Sequence, residues 1–294
     1  MILLTGATGL LGGALLPRLL ADGETVRCLV RDPRRLGAQR VRVQIALGDL
    51  ADPPSFRNAM RGVDTIVHLA ASTRDQPRGS IEELAGIASW RMVDAAQRAG
   101  AQRFVFLSVL GASTHHRARL FRAKALAEQA VSEAGLHTTI LAPSLIYAPG
   151  DRRTQLLARL ALLPLVPVPG SGAAEVQPIW VEDLAECVRA SLRRAPANGH
   201  ERLELAGPQT LTWSETMRLT LRALERPRPL VHLPTPLVSR ALKMLERAGA
   251  ESVLPTWDEA ELAEVAMTSA RGDASAHELG VLPKTMAEVL GLER

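Results

Sequence analysis

Six short apolar runs, at residues 2–4, 25–30, 41–47, 65–69, 104–107 and 138–141, recur at a regular beat along the first half of the chain. Between them lie stretches of helical periodicity at 10–21, 54–60, 81–99 and 118–134. Near-continuous apolar strands separated by helices need cover on both faces, and a parallel sheet built from βαβ units provides it. Right-handed crossovers then give an α/β, Rossmann-type doubly wound parallel sheet with its ligands outside the carboxyl ends of the strands.

After Tyr147 the beat breaks. Residues 1–150 read as a dinucleotide-binding domain and 151–294 as a smaller, mostly helical C-terminal lobe for a substrate or partner. Within that lobe 164–172 reads as a loop, and 175–195 as a strand and helix packing back on the sheet. Further segments are expected at 202–205, 213–224, 237–248 and 285–290. The run 164–169 is apolar and stiff, suited to a flap over an uncharged substrate or to a partner surface. The helix at 237–248 is amphipathic, and Arg240, Lys243 and Arg247 read as its solvated basic face, in preference to a contact with a membrane surface.

Composition narrows the function classes. A chain of 294 residues with 47% hydrophobic and 22% charged residues is globular, not disordered. Lys and Arg number 35 against 31 Asp and Glu, and aromatics are 3%, which argues against nucleic-acid binding. Cys28 and Cys187 sit in apolar runs and form neither a disulfide framework nor a metal spacing, as expected of a cytoplasmic protein. The N-terminus lacks a basic n-region, so no signal peptide is expected. The greasiest stretch, 156–169, contains Arg159 and three prolines and falls short of the ~20 residues a transmembrane segment needs.

The strongest chemical signal is Thr5-Gly6-Ala7-Thr8-Gly9-Leu10-Leu11-Gly12-Gly13, between the first strand and the first helix. Gly6 permits the tight turn, Gly9 lets backbone amides approach a pyrophosphate, and Gly12 lets the helix pack on the sheet. The anion is expected at the helix start near Leu10, where free N–H groups and the dipole favour it.

This Gly6-x-x-Gly9-x-x-Gly12 spacing resembles the short-chain dehydrogenase/reductase superfamily, in its extended and atypical branches. The resemblance continues through Gly48-Asp49-Leu50, His68-Leu69-Ala70-Ala71, Phe106-Leu107-Ser108, Ala142-Pro143-Ser144-Leu145-Ile146-Tyr147-Ala148-Pro149-Gly150 and Pro178-Ile179-Trp180-Val181-Glu182-Asp183. Leu205-Ala206-Gly207-Pro208, leading into Thr212-Trp213, is most similar to the atypical group near NmrA-like proteins and the nucleotide-binding accessory subunit of respiratory complex I. It implies that Asp49 and Leu50 face the adenine and that Ala70 and Ala71 line the ribose and diphosphate. Thr8, Leu10, Leu11 and Pro143 complete the implied cofactor wall. His68 reads as a support of the fourth strand.

The second run ends in Arg31, with Arg34 and Arg35 one turn on. A guanidinium there suits a ribose 2′-phosphate, whereas Asp32 could accept from a ribose hydroxyl. NADP(H) is favoured over NAD(H), as the resemblance also implies.

Superfamily members work with a Ser, a Tyr and a Lys, the last two spaced Tyr-x-x-x-Lys on one helical face. Ser108 and Lys124 match, but the tyrosine position holds Leu120. Lys124 carries information because Lys243 and Lys284 are the only other lysines among 35 basic residues. The resemblance implies that it also bonds the nicotinamide ribose. Substitutes for the missing proton carrier are Tyr147, the single tyrosine, and the loop histidines His115 and His116. No metal site is expected. Two function classes follow: an NAD(P)(H)-dependent oxidoreductase of a small, mostly apolar carbonyl or quinone-like substrate, or a non-catalytic NADP(H)-binding redox sensor or accessory protein. A nucleotide-sugar epimerase or dehydratase ranks behind both, because it too relies on the missing phenol.

Overall fold

The first six strands are β1 (Ile2–Thr5), β2 (Val26–Val30), β3 (Gln44–Leu47), β4 (Thr65–His68), β5 (Arg103–Leu107) and β6 (His137–Pro143). Four short ones follow, β7 (Ile146–Tyr147), β8 (Val166–Pro169), β9 (Glu175–Val176) and β10 (Ile179–Trp180). Then come β11 (His200–Leu205), β12 (Leu211–Thr212) and β13 (Leu230–Leu233). Helices are α1 (Leu10–Ala21), α2 (Pro53–Phe56), α3 (Ala88–Arg98), α4 (Arg119–Ser132), α5 (Arg152–Leu160), α6 (Val181–Leu192), α7 (Trp213–Ala223), α8 (Thr235–Arg247), α9 (Trp257–Leu262), α10 (Ala274–Glu278) and α11 (Met286–Val289). The structure, a computed structural model, describes residues 1–77, 79–196, 198–247 and 257–293. The tip of the helix expected at 237–248, Ala248, lies outside them.

Seven strands pair in the order β11-β6-β5-β4-β1-β2-β3, every pair parallel. The alternation of side chains along a strand gives each face its own core. Leu4, Cys28, Val67, Val105, Leu141 and Leu203 point to the face covered by Leu15 and Leu19 of α1 and by Leu184 and Val188 of α6. Leu3, Ile66, Phe104, Phe106 and Ile140 point to the other, covered by Met92 and Ala96 of α3 and by Ala127 and Val131 of α4. This is the α/β doubly wound sheet that the beat of the sequence implies.

Several elements differ from their expected form. The segment 202–205, grouped by sequence with the lobe, lies within β11 and closes the sheet beside β6. The expected strand at 41–47 is shortened to β3, because Pro33–Arg42 forms tight 3-10 turns that leave Val41 85% exposed. The helix expected at 81–99 opens with a π turn, Glu82–Ile87, before α3 begins. Most instructive is 164–172, expected as a loop, which contains β8 paired in parallel with β13. Its prolines fall on alternate positions, 167 and 169, while the N–H groups of Val166 and Gly170 donate to Pro229 and Leu233. The missing donors face away from the partner, an arrangement in which an edge strand tolerates proline.

The turn from β1 into α1 is packed backbone against backbone. Gly6 has φ +75°, and a Cβ there would meet the Ala70 nitrogen at 2.8 Å. A Cβ on Gly12 would lie 2.1 Å from the Gly6 carbonyl oxygen, fixed backbone that cannot yield. Gly12→Ala is expected to destabilise the protein by about 1–3 kcal/mol in urea unfolding, as overpacking does elsewhere, and to abolish dinucleotide binding in the same preparation.

Candidate dinucleotide and active site

The loops leaving β1, β4, β5 and β6 share one edge of the sheet, its carboxyl end. At the first, Gly9 caps α1 with no side-chain bond, and the first turn holds no acid. The helix start is thus left for an external anion, with its N–H groups and positive dipole end outward. Thr8 and Leu10 flank the turn, while Leu11 is buried beneath it.

A buried chain of hydrogen bonds ties this turn to β4. The Ala70 N–H donates to Thr5 Oγ1 at 3.3 Å, and Thr5 Oγ1 meets His68 Nδ1 at 2.7 Å. His68 Nε2 meets Ser89 Oγ at 3.1 Å, and Ser89 donates its proton to the Ala85 carbonyl at 2.9 Å. With that proton spent, Nε2 must carry hydrogen and Nδ1 must accept, so His68 is neutral with its tautomer fixed. Burial, with Lys124 nearby, pushes its pKa down to about 3. His68 therefore supports β4, as the sequence implies.

At the adenine end, Arg31 donates to the Gln76 side chain at 2.9 Å on the exposed rim. Asp32 caps the 3-10 turn by accepting from the Arg34 backbone and guanidinium, contacts that hold its pKa low. Its oxygens are engaged by its own turn. Asp49 accepts from Ala51 N–H and receives Ser55 against its own N–H, framing the turn into α2, and Leu50 packs on the core. Ala70 and Ala71 follow β4, and Ala71 is exposed. Pro143 ends β6, its carbonyl taking the Leu110 N–H at 2.8 Å.

Ser108 and Lys124 come together at the end of β5. Lys124 is 3% exposed, and its Nζ donates to the Leu107 carbonyl at 2.5 Å and lies 4.5 Å from the Phe106 ring centroid. Burial pulls its pKa from the ordinary 10.5 to about 7, opposed by Glu128 one turn on. Ser108, next in chain to Leu107, has a buried Oγ with no partner among the described residues. Leu120, in the tyrosine position, lines a shallow pocket with Thr73, Ile81, Ala118, Leu262 and the charged Arg119 and Glu261. At position 120 itself the side chain is aliphatic and offers no proton.

The substitutes for that phenol are committed elsewhere. Tyr147 is buried, its hydroxyl donating to the Thr285 carbonyl at 3.4 Å with no bond to Ser108 or Lys124. Burial, then Asp183 and Glu288, raises its pKa. His116 stacks on Phe121 and accepts the Ala118 N–H at the start of α4. His115 is exposed beside Thr114.

Two parts of the site carry no sequence signal. Arg119 clamps α4 to the loop after β4 through Glu82 at 2.6 Å and Asp75 at 2.9 Å. The segment around Met267 crosses the strand ends, its carbonyl taking the Ser144 hydroxyl at 2.6 Å. Partners separated by 37 to 123 residues leave no local pattern to read.

A family model described as NAD(P)H-binding matches residues 6–162, more than half of the chain. The chain belongs to this NAD(P)H-binding family. It is 31% identical over 241 residues to a ceramide reductase of Caulobacter vibrioides, covering 80% of this chain and 74% of that protein. It is 28% identical over 243 residues to a mitochondrial NADH dehydrogenase (ubiquinone) alpha subcomplex subunit of Arabidopsis thaliana, covering 79% of this chain and 60% of that subunit. An NADPH-dependent quinone oxidoreductase of Escherichia coli complexed with NADPH shares the fold, with TM-score 0.73, 19% identity and 99% of each chain covered. Among the described residues no helix is long and apolar enough to cross a membrane, and no cluster of metal-ligating side chains occurs.

Between pH 7 and 10 the unfolded chain, with Lys124 near 10.5, binds more protons than the folded one. The stability of the wild type is therefore expected to rise with pH across that window. Lys124→Met should remove this rise, a comparison that urea unfolding of both proteins at pH 6, 8 and 9.5 makes directly.

Proposed function

We propose that the protein is an NADP(H)-dependent reductase of a small, mostly apolar carbonyl or quinone-like substrate, using Lys124 in place of the tyrosine as proton source. The observation that carries this reading is the pairing of a buried, weakly basic Lys124 with the partnerless Ser108 hydroxyl at one strand end. A buried polar atom without a partner costs about 1–3 kcal/mol, so it is retained where something arrives to satisfy it. The uncapped start of α1 supports the same conclusion for the diphosphate.

When bound, the nicotinamide supplies the hydride. The Gly6–Gly12 turn holds the diphosphate, Asp49, Leu50 and Ala71 line the adenosine side, and Arg31 meets the ribose 2′-phosphate. Asp32, tied to Arg34, does not compete for it. Ser108 Oγ donates a hydrogen bond to the substrate oxygen. Lys124 has spent one of its three N–H bonds on Leu107. It passes a proton to that oxygen and is left as the neutral amine, a form that its burial favours. Leu120, Ile81 and Leu262 exclude water from the apolar end of the substrate. The similarity to a ceramide reductase and to the fold of a quinone oxidoreductase supports a carbonyl on an apolar body.

A second reading rests on Leu120 and on the similarity to the Arabidopsis subunit: a dinucleotide-bound sensor or accessory protein without turnover. NADPH oxidation measured with panels of carbonyls and quinones separates the two. Turnover should fall as pH rises through 7 and be lost in Lys124→Ala, while tryptophan fluorescence still reports NADPH binding. Tight binding with no oxidation under any acceptor overturns the reductase and leaves the sensor. Arg31→Glu should weaken NADPH by about 10- to 100-fold while leaving NADH nearly unchanged. Equal losses for both coenzymes would refute the assignment of the phosphate end.

A further inference from the structure

We infer that two proline-braced loops of the C-terminal lobe, residues 161–165 and 225–229, form a tip that seats this protein on the surface of an anionic lipid bilayer. Leu162, Leu163 and Leu165 are 71%, 50% and 48% exposed, in the consecutive stretch Leu162-Leu163-Pro164-Leu165. The second loop, Arg226-Pro227-Arg228-Pro229, is exposed throughout and lies against the first. Two contacts join them: Val166 N–H donates to the Pro229 carbonyl at 2.9 Å, and Arg228 Nε donates to the Ala161 carbonyl at 3.1 Å. Exposed Arg159 ends α5 beside the leucines, and exposed Arg222 ends α7 beside Arg226. The one acid in these two loops is Glu225.

Charge selects the partner. The stretches 151–170 and 213–247 hold ten Lys and Arg against four Asp and Glu, whereas the whole chain holds 35 against 31. At the tip itself, residues 159–165 and 222–229 hold four arginines against one acid, Glu225. An exposed apolar wedge ringed by guanidinium groups matches the headgroup boundary of an anionic leaflet, with leucines in the acyl margin and arginines at the phosphates. Pro164, Pro167, Pro227 and Pro229 hold the loops rigid, so little conformational entropy is lost on docking. The tip adds a lipid-surface site to the proposed reductase and does not depend on its chemistry.

Vesicle co-sedimentation of the whole protein tests this, with phosphatidylcholine alone and with about one-third phosphatidylglycerol added. The wild type should bind the anionic vesicles at least about tenfold more strongly than the neutral ones, and release them at ~0.5 M salt. Leu162→Glu with Leu165→Glu, and separately Arg222→Glu with Arg226→Glu, should each lower that binding about tenfold or more. All four side chains are exposed, so NADPH affinity and thermal unfolding should stay unchanged, which keeps this outcome separate from the fate of the cofactor reading. No binding, equal binding to both vesicles, or undiminished binding by the variants overturns the proposal. So does a wild-type dimer in gel filtration that the leucine pair dissolves, which would give the face to a second copy of the chain.

Discussion

A single backbone carbonyl, that of Gly6, fixes how closely the first helix approaches the sheet. It accepts the Gly9 N–H at 2.9 Å and lies where any side chain on residue 12 would have to stand. The same turn presses on the Leu69–Ala70 backbone and, through Thr5, takes part in the hydrogen-bond chain that ends at Ala85. Helix start, strand end and the floor of the cleft are therefore one mechanical unit. With backbone in contact with backbone, no rotamer can adjust to absorb a change.

The electrostatics of the cleft follow from what surrounds that unit. Phe106 neighbours both the His68 ring, at 6.0 Å between centroids, and the Lys124 ammonium, at 4.5 Å from its centroid, and both basic groups are buried. Each is pushed toward its neutral form, His68 completely and Lys124 to the edge of neutrality. In relatives with a phenol at position 120, a charged lysine serves by acidifying that phenol. Here the residue at 120 is aliphatic, and burial lowers the lysine to about 7, the range that the proposed proton transfer at neutral pH asks for.

Period-two and period-three-point-six patterns act over a few residues, and what they govern was readable. The six runs of the first half became the first six strands, and the glycine spacing marked the turn whose backbone has no room for a Cβ. Reading failed where the deciding interaction is remote. Nothing local in 202–205 states that it pairs with 140–143, and nothing in Arg119 states that Asp75 and Glu82 meet it. The segment 164–172 misled for a different reason. Three prolines within six residues suggest a loop, whereas those at alternate positions 167 and 169 remove only donors that face away from the partner strand. At the site, Ser108 and Lys124 were legible through the resemblance, and the pocket wall at Leu262 was not.

The last strand of the sheet carries a consequence for how the chain can be divided. β11 reaches β6 only after the polypeptide has left the sheet, built α5, β8 and α6, and returned. The nucleotide-binding half and the lobe are threaded through one another, not joined end to end. A fragment cut at the middle of the chain would leave β6 with its hydrogen-bonding edge bare and an apolar face uncovered by α6. Such an edge invites pairing with another copy, so the first half on its own is a precursor of aggregates, not a minimal domain.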